Sequence, residues 1–219
     1  MSDNKLAPPG RNALADRTQR LLRETTEAGP QYGELVAYLS ARRMMPPIFL
    51  SDGYGIGKRF DPESTGIFET GRGLPATGEI SLRAPSRPQT VVHELTHAAE
   101  RQIRQQWSAI ASLPEWRLTP AQLQFRKAYE QLIFKPGEQF GKNPKSAQQE
   151  TAMKIAPKWV KEESDYRSTG GELTAFGMGS ALGRNVDNPA PLHIDPSYAT
   201  EFSILLDLAR RANVTEPGR

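Results

Sequence analysis

Three residues carry the strongest chemical signal in this chain: His93, Glu94 and His97, in the run Thr90-Val91-Val92-His93-Glu94-Leu95-Thr96-His97-Ala98-Ala99-Glu100. Residues four apart on an α-helix project from one face, about a turn apart, so two imidazoles there can converge on one tetrahedral ion. A glutamate directly after the first histidine is offset to the side, where it reaches a metal-bound water without binding the metal. The pattern is therefore two zinc ligands and a general base. The whole chain has three histidines, and two of them form this pair. It has no cysteine, so a metal must be held by His, Asp or Glu. The competing reading is a solvated helix face on which these residues meet by chance. Aliphatic residues before the pair and the small Ala98-Ala99 after it, suited to close packing, favour the metal site.

The chemistry requires a helix that packs on one side and opens on the other. Ser86 with Gln89 fits a capping box, and Pro88 suits a first helical turn. At about 100° per residue, Val91, Leu95, Ala98, Ala99 and Ile103 form one broad apolar arc, with His93 and His97 nearly opposite. Upstream, the periodicity predicts helices over 12–27 and 31–43, closed by Gly29-Pro30 and Pro46-Pro47. Short strands follow at Ile48-Phe49-Leu50 and 65–70. Gly78-Glu79-Ile80-Ser81-Leu82-Arg83 alternates polar and apolar, as a half-buried strand does. Further helices are expected over 87–107, 119–134, 147–164, 170–182 and 196–213. Helices, then a small sheet, then helices make an α+β fold. Residues 1–10, with Pro8-Pro9-Gly10, read as a flexible tail, and 11–219 as a single domain.

At 219 residues the chain is long enough to bury a core, and 37% hydrophobic with 24% charged residues is ordinary globular composition. The net charge of +3 comes from basic residues that are scattered, which gives nucleic-acid binding a weak electrostatic footprint. No export signal or membrane-spanning stretch is visible, and a cytoplasmic site is the default expectation. The oligomeric state is not legible.

His-Glu-Leu-Thr-His-Ala, preceded by Thr-Val-Val, resembles the active-site helix of the gluzincin metallopeptidases, the thermolysin-like branch of the zincins. The resemblance spans about 105 residues, from Gly78 to Leu182. It implies a sheet whose edge strand, here 78–83, lies along the active-site helix, with the helices before residue 48 as additions. It also implies one Zn²⁺ per chain and a third ligand: a glutamate on a later helix in a Glu-x-x-Ala pattern. Gly171-Glu172-Leu173-Thr174-Ala175 matches, and Glu172 follows His97 by 75 residues. Thr169 to Glu172 also has capping-box spacing, so the same glutamate has a structural alternative. The family often places an acidic residue four positions after that ligand to orient a zinc-bound histidine. Phe176 stands there, so the orienting group must come from elsewhere. The metzincin branch matches less well, since it has Gly and His where this chain has Glu100 and Ile103.

Glu100 shares the histidine face, either as a carboxylate behind a ligand or as a solvated residue. His193, in Pro189-Ala190-Pro191-Leu192-His193, matches the later region from which gluzincins supply a group for the developing oxyanion; Tyr166 and Tyr198 are the other candidates. The expectation is hydrolysis of a peptide or protein substrate, with Glu94 as general base and the peptide added to the edge of strand 78–83. Two alternatives stand beside it. One is a metal-binding protein with a vestigial site; the other is a dedicated effector or virion-associated peptidase with one protein target. Should Glu172 not be the ligand, the choice moves to Glu100, His193 and the acidic cluster Glu162, Glu163 and Asp165.

Overall fold

The computed structural model describes residues 11–51, 66–70, 74–83, 86–132, 174–175, 177–179 and 197–214. Within them the fold is α+β: a three-stranded sheet and a larger set of helices. The N-terminal helices are α1 (Arg11–Ala28) and α2 (Pro30–Ala41), separated by Gly29, with Pro30 opening the second. Proline is tolerated there because a first-turn N–H has no intrahelical acceptor to lose. Leu21 and Thr25 face the core from α1; Leu35, Tyr38 and Leu39 do so from α2.

The sheet consists of β1 (Ile48–Ser51), β2 (Gly66–Glu69) and β3 (Glu79–Arg83), in spatial order β1-β3-β2. β1 runs parallel to β3, Ile48 opposite Ile80. β2 runs antiparallel to it, Gly66 opposite Leu82 and Glu69 opposite Glu79. This corrects the expectation for residues 78–83. Among the described residues that strand is the centre of the sheet, paired on both sides, and β2 is the edge strand that packs on the helix bearing His93 and His97. Ile80, Ser81 and Leu82 are all buried, so the strand is covered on both faces although its residues alternate. Alternation tells which side chains share a face; it does not tell how many neighbours the backbone has. Gly78 turns the chain into β3 with φ +77, and a Cβ there would strike the Phe68 ring.

Helix α3 (Pro88–Ile110) follows the sheet, a 3₁₀ turn spans Glu115–Arg117, and α4 (Pro120–Leu132) returns. Thr119 and Gln122 make a reciprocal capping box at the start of α4: Gln122 N–H donates to Thr119 Oγ1 at 3.2 Å, and Thr119 N–H to Gln122 Oε1 at 3.0 Å. The last helix, α5 (Ser197–Ala212), buries Ala199, Phe202, Leu205, Leu206, Ala209 and Ala212, a stripe at helical spacing. It packs on α2 and α4, while α1 and α2 both pack on α3, so the N-terminal helices belong to the same core as α3. The Gln106 amide of α3 lies 3.2 Å from the Tyr38 hydroxyl, and its oxygen turns to Arg42, whose guanidinium donates to the Val214 carbonyl. Three segments are tied there. No helix among the described residues is long and apolar enough to cross a membrane. The expected helix over 147–164 and the tail 1–10 lie outside the described residues.

Candidate metal centre

Helix α3 holds the site because its other face has nowhere else to go. Val91, Val92, Leu95, Ala99 and Ile103 are fully buried, and Ala98 nearly so. Each of the larger aliphatics contributes roughly 1.5–3 kcal/mol by leaving water. Together they outweigh the several kcal/mol that a poorly solvated carboxylate costs on the same helix. The helix start differs from expectation: Arg87 is the N-cap with no side-chain cap bond, and the Ser86 hydroxyl donates back to the Arg83 carbonyl. Pro88, whose φ is already helical, begins the helix instead.

His93 and His97 stand half-buried on the opposite face. Their Nε2 atoms are 3.1 Å apart, and the rings meet edge-on at 86° with centroids 4.7 Å apart. Two ligands of one tetrahedral ion with bonds of ~2.0–2.1 Å would stand ~3.3–3.4 Å apart, so the pair is within a few tenths of an ångström of what zinc requires. Two imidazoles are suitable nitrogen donors in a chain without thiols. These two nitrogens fit two positions of such an ion.

Glu94 lies one position along and is only 5% exposed. Strand β2 crosses directly over it. A Cβ built on Gly66 would fall 2.9 Å from Glu94 Oε1 and 2.8 Å from Thr90 Cγ2. Only glycine lets the edge strand approach this closely, and the approach walls the carboxylate in beside the histidines. Nothing in the local sequence around Gly66 announces this role; it follows from tertiary packing alone.

Glu100 is the other acidic group of the site. Its Oε2 is 3.5 Å from His97 Nδ1, and its side chain is 12% exposed. Burial pushes its carboxyl pKa up, while His97, a hydrogen bond from Thr174, and Arg104 pull it back. The solvated reading of Glu100 is thus ruled out by its environment, and its contact is with the outer nitrogen of His97. Thr174 belongs to a helical stretch, of which 174–175 and 177–179 are described, and Gly179 packs against the Gln89 carbonyl. That stretch runs antiparallel along α3, Thr174 beside Glu100 and Gly179 beside Gln89.

Glu172, Phe176, His193, Tyr166, Glu162, Glu163 and Asp165 lie outside the described residues, as does the side chain of Tyr198 at the start of α5. Among the described residues no group of three or more His, Asp or Glu forms a metal-holding cluster. The structure pairs His93 with His97, sets Glu100 behind His97, and places Gly66 over Glu94 and Thr174 beside Glu100, two residues that the sequence did not single out. Compared with protein-family models, curated proteins and solved structures, the chain matched none.

Proposed function

We propose that this chain is a zinc-dependent peptidase with His93, His97 and Glu172 as metal ligands and Glu94 as general base. The observation that carries the reading is the convergence of the two Nε2 atoms at 3.1 Å beside a buried glutamate. When bound, zinc supplies a water acidified towards pKa ~7 and a Lewis acid for the scissile carbonyl. Glu94 is placed to take a proton from the attacking water and would pass it to the leaving amine. The Gly66 wall restricts where its carboxylate can sit, so little reorganisation precedes transfer. A peptide, rather than a compact small molecule, is assigned as substrate on the resemblance of the His93–His97 helix to the gluzincin active-site helix. His193, with Tyr166 and Tyr198 as rivals, is assigned to the developing oxyanion on the resemblance.

The reading makes a direct demand. Peptide hydrolysis by the purified protein should vanish on treatment with a zinc chelator and return when zinc is restored. Activity indifferent to chelation would sink the proposal. Glu172 is tested by two substitutions measured side by side. As the third ligand, Glu172→Gln should fail to hold zinc at a metal-limited concentration, and Glu172→Ala should leave the apoprotein's stability nearly unchanged. As a helix cap, Glu172→Gln should keep zinc, and Glu172→Ala should cost about 0.5–2 kcal/mol of stability.

A further inference from the structure

We propose that Glu100 is a positioning residue for the metal centre: its carboxylate holds His97 at Nδ1 and, through Thr174, ties the 174–179 stretch to α3. The inference rests on the zinc reading and extends it to a group outside the ligand set. An imidazole that binds metal through one nitrogen carries its N–H on the other, and a carboxylate accepting that N–H fixes both tautomer and ring orientation. His97 directs Nε2 at His93, which leaves Nδ1 for this purpose, and Glu100 Oε2 stands 3.5 Å from it. The spacing of three residues places the two side chains one turn apart on the same face.

A glutamate at this spacing on a water-facing surface would be solvated. Glu100 is 12% exposed, and its polar neighbours come from both packed elements. Thr174 reaches it from the helical stretch alongside, and Arg104, one turn further along α3, supplies positive charge. Tyr129 of α4, beside Arg104, stacks on Trp107 with ring centroids 5.2 Å apart. The carboxylate is thus braced from behind while its front oxygen meets the histidine. Thr174 follows Glu172 by two residues, so the contact that orients His97 also anchors the stretch immediately downstream of the third ligand.

The experiment uses the full chain as wild type, Glu100→Ala, Glu100→Gln and Thr174→Val. Three quantities are measured: zinc affinity by chelator competition, the visible spectrum of the cobalt(II)-substituted protein, and thermal unfolding of the metal-free protein. Glu100→Ala should weaken zinc binding about 10- to 100-fold and shift the cobalt bands, with metal-free unfolding unchanged. Glu100→Gln, whose amide oxygen still accepts from Nδ1–H, should recover most of the affinity. Thr174→Val should show a smaller loss in the same direction. Glu100→Ala with wild-type affinity and spectrum overturns the inference alone. So does a loss of affinity that merely follows loss of metal-free stability. A wild type that takes up no zinc overturns the metal reading and this inference with it.

Discussion

Replacing His93 or His97 with alanine is expected to yield a folded protein with no stoichiometric zinc and no measurable peptide hydrolysis. Neither imidazole belongs to the apolar face of α3, whose buried residues Val91, Val92, Leu95, Ala99 and Ile103 remain in place in both variants. Circular dichroism should therefore match the wild type. The metal should not survive, because each substitution removes one of two nitrogens that stand 3.1 Å apart. Loss of a partner behind a ligand costs about 10- to 100-fold in metal affinity, and loss of the ligand itself must cost more. Elemental analysis after gel filtration, wild type beside each single variant and the pair, makes the measurement. Stoichiometric zinc in the double variant would show that the ion sits elsewhere.

Glu94→Gln should separate binding from chemistry. Glutamine has the shape of glutamate, so it keeps the packing beneath Gly66 and against Thr90, and zinc content should equal that of the wild type. The amide cannot accept the water's proton, and kcat should fall roughly 100- to 10,000-fold, the range of general-base catalysis. Gly66→Ala is the companion measurement. Its new Cβ would press on Glu94 Oε1 and Cγ, moving a base that is still chemically intact. A smaller fall in kcat with zinc retained is the expected result, since small misplacements of a reacting group cost up to about 100-fold. An unchanged rate for Glu94→Gln on a confirmed substrate would hand the proton to another residue. It would also leave a metal-binding protein without catalysis as the better account.

The helical elements were legible because their signals are local. The 3.6-residue period of Val91, Leu95, Ala98, Ala99 and Ile103 is written in consecutive residues, and it dictates both the buried face of α3 and the opposite placement of His93 and His97. The same holds for the Pro and Gly residues that close α1 and α2, and for the apolar stripe of α5. Thr119-x-x-Gln122 has the capping-box pattern and closes it, while Ser86-x-x-Gln89 has the pattern and does not form the bonds. Capping spacing permits the bonds, but backbone direction before the helix decides whether they close.

What only the tertiary structure decided is which distant segments meet. Ile80 and Leu82 alternate with their neighbours whether their strand is central or at an edge, and strand pairing, not alternation, made β3 the middle and β2 the edge. Gly66 became part of the site because β2 crosses α3 at Thr90 and Glu94; glycine carries no side-chain signal to foretell that. Glu100 was ambiguous in the sequence, since a carboxylate three residues after a histidine can face water or protein. The packing of Thr174 and Arg104 around it removed the ambiguity. Periodicity along the chain sets what one element buries, because burial of a face depends on neighbours three and four residues away. Contacts between elements depend on the free energy of the whole packed arrangement, which no local window of sequence contains.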